Sequence, residues 1–233
     1  MGSPKIFIHI PKNGGMTIRR NPDLRKQIIV CTPDIHRTRE YTKGLEEKMR
    51  SVGDVMGYEH ARWRDLKSEV RQEYKSFAIV RNPWSRVVSR YWFAKKVIEV
   101  EKSSDHYGEH GYADISSFEA FLEERHKWGG VDYMWHRAVR GWYPAKDHVV
   151  DKFGTVQCDI LRFENYNEDI KDYMGILFNP EPRNVTNLHK GTYQDMYTDK
   201  TIQIIADWYK DDIDYWGFDF DTGAQKNYWN ERG

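Results

Sequence analysis

Four short apolar runs stand out from a polar chain, at residues 5–10, 27–31, 76–80 and 159–163. The runs at 5–10 and 76–80 are continuous rather than alternating and rich in Ile, Val and Phe, which predicts strands covered on both faces in a parallel sheet. Elsewhere the spacing turns helical. A helix opening at 17–20 should be cut short by Asn21-Pro22. Residues 40–50 read as a polar helix, 131–143 as a helix of mixed polarity and 168–177 as an amphipathic helix. Ile202, Ile205, Ala206, Tyr209 and Ile213 recur on one face of a last helix expected to pack on the sheet. Asn82 suits an N-cap and Pro83 the first helical position, so a helix should run from there through Tyr91 and toward Val100. Ser116 and Glu119 have capping-box spacing ahead of a helix at 118–125. Residues 103–114 and 180–193 read as polar connections. Strands alternating with helices predict an α/β fold: one domain over 1–233, a central and mainly parallel sheet flanked by helices, and a ligand beyond the strands' carboxyl ends.

Composition narrows the classes. The 233 residues are enough for one well-buried core, and no Pro/Gly/Ser-rich linker divides them. Lys plus Arg and Asp plus Glu number 36 each, so no global charge recommends nucleic acid or a membrane surface as partner, and any basic site must be local. Cys31 and Cys158 lack metal-site spacing and read as two free thiols in a reducing compartment. With no charged-then-apolar leader and no run near the ~20 apolar residues of a membrane span, a soluble, cytoplasmic protein is expected, although a catalytic piece of a longer anchored enzyme would read alike. Aromatic residues make up 15 % of the chain while hydrophobic residues reach only 39 %, so rings should carry much of the core.

The chemistry concentrates where two of the runs end. Residues 6–17, Ile-Phe-Ile-His-Ile-Pro-Lys-Asn-Gly-Gly-Met-Thr, lead a strand into a turn. There two glycines permit φ > 0 and close approach, a helix start offers unpaired N–H groups, and Lys12 adds a positive charge. That layout suits a phosphate or a sulfate. A nucleoside-triphosphate loop would place its Lys after the last Gly, whereas here it precedes both, and alone the segment also reads as an ordinary tight turn. Residues 77–91, Phe-Ala-Ile-Val-Arg-Asn-Pro-Trp-Ser-Arg-Val-Val-Ser-Arg-Tyr, form a second strand-turn-helix unit with Arg81 at the strand end and Ser85, Arg86 and Ser89 on the helix's opening turns. Two such units call for a ligand with two anionic ends.

This pair of segments resembles the two cofactor signatures of the sulfotransferases that use 3′-phosphoadenosine 5′-phosphosulfate, most closely the carbohydrate-type branch and its bacterial and viral relatives. The likeness extends to Ile-Leu-Arg-Phe-Glu-Asn-Tyr at 160–166, to Asn187, Tyr193 and Tyr197, and to Trp-Tyr-Lys-Asp-Asp-Ile-Asp-Tyr-Trp-Gly-Phe at 208–218, so it spans nearly the whole chain with a weaker middle. The resemblance implies the P-loop-like nucleotide-binding architecture of that family. It implies that Lys12, Asn13, Gly14, Gly15, Met16 and Thr17 hold the 5′-phosphosulfate, with Met16 standing where the family usually has a hydroxyl. It further implies that Arg81 and Ser89 grip the 3′-phosphate, and that Arg183, Lys190 and Tyr193 lie in a connection closing over the nucleotide. No metal is expected.

An acceptor hydroxyl, on a saccharide, a glycolipid or a hydroxylated small molecule, must lose a proton as it attacks, and a positioned base typically contributes ~10²–10⁴-fold. His60 is the first candidate, since a His-bearing stretch precedes the second signature in these enzymes and imidazole titrates near neutrality. Glu59 is its rival and His36 the third choice. His9, inside an apolar strand, is expected to be buried and hydrogen-bonded, and Glu164 to serve as an ion-pair or cap partner. Trp135, Trp142 and Tyr143 fit either core or a sugar-stacking wall, core being preferred. Two other classes stay open: a nucleotide kinase with an atypical loop, and a non-catalytic module that binds adenosine 3′,5′-bisphosphate. The acceptor and the oligomeric state are not legible.

Overall fold

A computed structural model describes residues 3–51, 57–101, 113–176 and 191–224, with backbone alone at 100 and 101. Strands β1 (Lys5–Ile8), β2 (Ile28–Val30), β3 (Ser76–Val80) and β4 (Asp159–Arg162) form one sheet in the order β2-β1-β3-β4. Every pairing is parallel, with Phe7 opposite Phe77 and Ile8 opposite Ala78 across the centre. The chain leaves β1 toward one edge and returns to build the other, so the direction reverses between β1 and β3, where α/β sheets open a crevice for ligands.

Alternation along the strands explains why the apolar runs are continuous. Ile6, Ile8, Ala78, Val80 and Ile160 face one apolar layer, while Phe7, Phe77, Ile79 and Leu161 face a second with Ile18, Leu24, Ile170 and Met174. Helices α1 (Gly15–Arg20), α2 (Pro22–Arg25) and α8 (Tyr166–Met174) carry that second layer. The break between α1 and α2 falls at Asn21, whose side chain caps the N–H groups of Asp23 and Leu24. On the other face lies α5 (Pro83–Lys95), started by the Asn82 side chain accepting from Trp84 and Ser85 and continuing as a π turn over Lys96–Glu101. Helices α3 (Arg39–Ser51), α4 (Ser68–Glu73), α6 (Phe118–Trp128) and α7 (Lys146–Val149) complete the surround with α9 (Asp199–Trp208) and α10 (Lys210–Trp216). Cys31 and Cys158 are buried and form no disulfide.

Three sequence expectations are corrected. Residues 131–143 form no helix beyond a single tight turn at Met134–His136. Arg90 donates to the carbonyls of Ala138 and Val139, and Arg86 donates to that of Tyr143 at 2.9 Å, so acceptors a helix would have used are claimed by α5. The cap of α6 is Ser117 rather than Ser116, because Ser116 is drawn back to the Asp114 carboxylate at 2.6 Å. The last helix is two, parted at Tyr209, and α9 packs against α5, with the Trp84 indole donating to the Ile202 carbonyl at 3.0 Å. Among the described residues no helix is long and apolar enough to cross a membrane.

Candidate active site

The turn after β1 is held in an uncommon conformation by its neighbours. Lys12 has φ 68° and Gly14 φ 78°, both left-handed, and for lysine that geometry costs on the order of 1–2 kcal/mol. The Arg81 guanidinium donates to the Lys12 carbonyl at 3.1 Å, the Asn13 amide to the Ile79 carbonyl at 2.7 Å, and the Tyr166 phenol to the Gly14 carbonyl at 2.7 Å. A β-carbon on Gly14 would lie 2.8 Å from the Tyr166 ring, and one on Gly15 only 2.0 Å from His9. Both glycines are therefore required by packing, Gly14 by its φ as well. Carbonyls of the turn are thus anchored, whereas the N–H groups of Gly14, Gly15 and Met16 find no backbone acceptor among the described residues. Thr17 is buried, its N–H bonded to the Gly14 carbonyl at 3.1 Å.

The second unit opens onto the same place. Arg81, at the carboxyl end of β3, donates to the Ser85 hydroxyl at 2.9 Å and lies 4.2 Å from the centroid of the Phe163 ring, the residue just after β4. Ser89, one turn beyond Ser85 on the same helix face, is half-buried and its hydroxyl has no hydrogen bond among the described residues. Glu164 accepts the Asn82 N–H at 2.7 Å and so braces the start of α5, as a cap partner rather than a base. Burial raises its pKa. Tyr193 bonds the Phe220 carbonyl and sits near enough to Arg81 to act on its charge.

Positive charge dominates this end of the sheet. Burial, and then the charges of Arg81, Lys96 and Arg90, push the Lys12 amine down to about 7. Burial likewise lowers Arg81 to about 10 despite the help of Glu164. Arg86 and Arg90 are buried beneath, donating to carbonyls and, for Arg90, to the Tyr209 hydroxyl at 3.1 Å, and neither has a carboxylate partner among the described residues. Lys12 and Arg81 are half-buried and Arg86 and Arg90 buried, and although Glu164 acts on Arg81 and Asp212 faces the charge of Arg86, cations outnumber these acids, an excess that suits an anionic ligand.

The candidate bases separate by their surroundings. The His60 Nδ1–H donates to the His9 carbonyl at 2.8 Å, which leaves Nε2 as the basic nitrogen of the neutral ring, and burial lowers its pKa. Glu59 faces Arg19 at 3.7 Å. His36 is fully buried, with Nε2 3.3 Å from the Tyr58 carbonyl, so it holds a turn together and lacks an open face. His9 is buried as expected but is not fully hydrogen-bonded: its Nδ1 has no partner among the described residues, and its ring stacks on Phe7 at 5.5 Å and lies tilted against His60 at 4.3 Å. Trp135 and Trp142 are core, at 1 % exposure each, whereas Tyr143 is half-buried.

The Lys12 turn and Arg81 are thus joined directly, Tyr193 acts on the Arg81 charge and Ser89 follows Ser85 on one face of α5, while Glu59 pairs with Arg19 of α1 and His60 with the His9 carbonyl. Arg183, Asn187 and Lys190 lie outside the described residues. Sequence reasoning missed Phe93, whose ring lies 4.0 Å from the Lys12 amine. The signal was its position four residues past Ser89, on the same face of α5. A groove of about 570 Å³ between Arg64, Tyr143, Lys146 and Trp208 lies apart from these residues. No group of three or more His, Cys, Asp or Glu among the described residues is arranged to hold a metal ion.

Neither a curated protein nor a solved structure gives a significant match to this chain. A family model described as "Sulfotransferase family" matches residues 6–219, covering all four strands, the Lys12 turn, Arg81 and both closing helices. A match of that extent, on a parallel sheet whose strand order reverses between β1 and β3, shows that the chain belongs to the sulfotransferase family and is an enzyme of sulfuryl transfer.

Proposed function

We propose that this enzyme moves a sulfuryl group from 3′-phosphoadenosine 5′-phosphosulfate to an acceptor hydroxyl, and that residues 1–233 form one domain for the task. The observation that carries the reading is the bond from the Arg81 guanidinium to the Lys12 carbonyl, 3.1 Å long, which makes two anion-binding units walls of one crevice. One nucleotide with a phosphate at each end can then touch both. When bound, the donor supplies an activated sulfuryl group whose leaving phosphate gathers negative charge.

The chain's own residues supply the rest. The N–H groups of Gly14, Gly15 and Met16, with Asn13 and Thr17 fixing the turn, surround the 5′ end. Lys12 places its amine at the bridging oxygen, where charge grows. Arg81, with Ser85 and Ser89 beside it, holds the 3′-phosphate; Tyr193 supports that end, and Arg183 and Lys190 join it on the family resemblance alone. His60 takes the acceptor's proton on Nε2, the nitrogen left free by its bond to His9. Glu59, held by Arg19, is the less suited base. Backbone donors and side-chain cations provide the stabilising charge in this account, with no metal. The acceptor class we favour is a saccharide, a glycolipid or another hydroxylated small molecule. Two buried thiols outside any disulfide suit the reducing cytoplasm.

The test is transfer of radiolabelled sulfuryl from the nucleotide donor to a panel of saccharides and small alcohols. Labelled product that is lost in Lys12→Ala and His60→Ala, while nucleotide binding survives, supports the reading. Nucleotide binding without transfer to any acceptor, unaltered by replacing His60, Glu59 or His36, marks a binding module instead.

A further inference from the structure

Ser85, Ser89 and Phe93 follow one another at four-residue intervals and form a stripe along α5. Arg81 is bound to the first member, and the Lys12 amine lies over the ring of the last, 4.0 Å from its centroid. The helix changes to its π turn three residues later, at Lys96. The charged groups facing Lys12 are Arg81 from the end of β3, Arg90 from α5 and Lys96 from the π turn, all cations. No carboxylate among the described residues acts on the Lys12 charge; Glu59 pairs with Arg19 at 3.7 Å and Glu164 accepts the Asn82 N–H at 2.7 Å. An aromatic face, with its negative quadrupole, is thus the attractive surface the structure offers this amine. The Lys12 carbonyl is anchored separately by Arg81, so the amine can leave the ring by rotating its own stem.

We propose that Phe93 is a positioning residue for Lys12: its ring face holds the Lys12 ammonium beside the turn and yields it to the phosphate end of the donor. The proposal rests on the assignment of Lys12 to the donor's 5′ end. A ring suits the role because its pull on a cation is weaker than that of a phosphate, whereas a carboxylate in the same place would keep the lysine.

The experiment follows the ε-CH₂ signals of carbon-13-labelled lysine by NMR in the full chain, with Lys12 identified by the signal lost in Lys12→Arg and folding of each variant checked by its melting curve. In the unaltered protein the Lys12 ε protons should be shifted upfield by the ring and titrate well below the other lysines. Phe93→Trp keeps both properties. Phe93→Leu keeps an apolar wall without a ring face, so the upfield shift is lost and the titration falls further. Phe93→Ala admits water, and the titration rises by about one pH unit or more. Adenosine 3′,5′-bisphosphate should move the Lys12 signal away from its ring-shifted position. Absence of the upfield shift in the unaltered protein, or one titration midpoint shared by all four proteins, overturns the proposal. A bound nucleotide that leaves Lys12 ring-shifted overturns the hand-over alone. A nucleotide that does not bind refutes the donor reading together with the hand-over, and the ligand-free spectra tell these failures apart.

Discussion

Replacing Arg81 by Ala asks whether the second unit reads the 3′-phosphate. In the structure its guanidinium donates to Ser85 at 2.9 Å and to the Lys12 carbonyl at 3.1 Å, and it remains cationic at neutral pH because burial lowers it only to about 10. A charge-assisted hydrogen bond to a phosphate contributes about 1.5–3 kcal/mol, so adenosine 3′,5′-bisphosphate should bind roughly 10- to 150-fold more weakly to the variant. Adenosine 5′-monophosphate lacks the 3′-phosphate and should lose little. Loss of the tie to the Lys12 turn should lower stability by about 1 kcal/mol, partly offset by removing a buried charge. Calorimetric titration of both nucleotides into both proteins gives the coupling directly, since the monophosphate serves as the second half of a double-mutant cycle. Arg81→Lys should fall between, keeping the charge but losing the two-pronged fork. Equal losses for the two nucleotides would show that Arg81 acts only by holding the turn, and unchanged affinity would remove it from the site.

Lys12→Ala should lower turnover more than it weakens adenosine 3′,5′-bisphosphate binding, because the amine acts on charge that develops during transfer; equal losses would contradict that role. Gly15→Ala puts a methyl 2.0 Å from His9 and should cost about 1–3 kcal/mol in urea unfolding, with His9→Ala in the same chain recovering much of it. Simple additivity would show that the two do not press on each other. Burial holds His9, His60 and His148 below the ordinary histidine value of 6.5, so below that pH the unfolded chain binds more protons than the native one. Stability should rise with pH up to about 6.5 and be lost on acidification, by at most about 1.4 kcal/mol per pH unit for each group. Urea midpoints independent of pH across this range would refute the neutral, buried state. The acid limb of the transfer rate should likewise lie below 6.5 and disappear in His60→Gln, whose remaining activity would be flat there.

The strands were legible because each is a short apolar run covered on both faces, the end of α1 because Asn21-Pro22 breaks it locally, and the start of α5 because Asn82 caps it. The two signatures could be read for the same reason: each is a contiguous stretch of chain. What escaped depends on contacts distant in sequence. Residues 131–143 have the polarity of a helix, yet Arg86 and Arg90 take their carbonyls from 48 to 57 positions away. The tautomer of His60 is fixed by a carbonyl 51 positions earlier, and the demand for Gly15 comes from the His9 ring rather than from the turn itself. Nothing local to Phe93 marks it, since the Lys12 amine over its ring comes from 81 positions earlier in the chain. The acceptor stays illegible because recognition of a hydroxyl compound leaves no contiguous motif in the sequence.

The most direct measurement of the central claim, one crevice binding both ends of one nucleotide, is the melting temperature with adenosine 3′,5′-bisphosphate, adenosine 5′-monophosphate, ADP and ATP at matched concentrations. Binding to the native state alone raises the melting point in proportion to the logarithm of ligand over Kd. The account predicts a clear rise with the 3′,5′-bisphosphate and a much smaller one with the others, none of which carries a 3′-phosphate. A rise with ATP or ADP equal to that with the bisphosphate, or none with the bisphosphate, would contradict it.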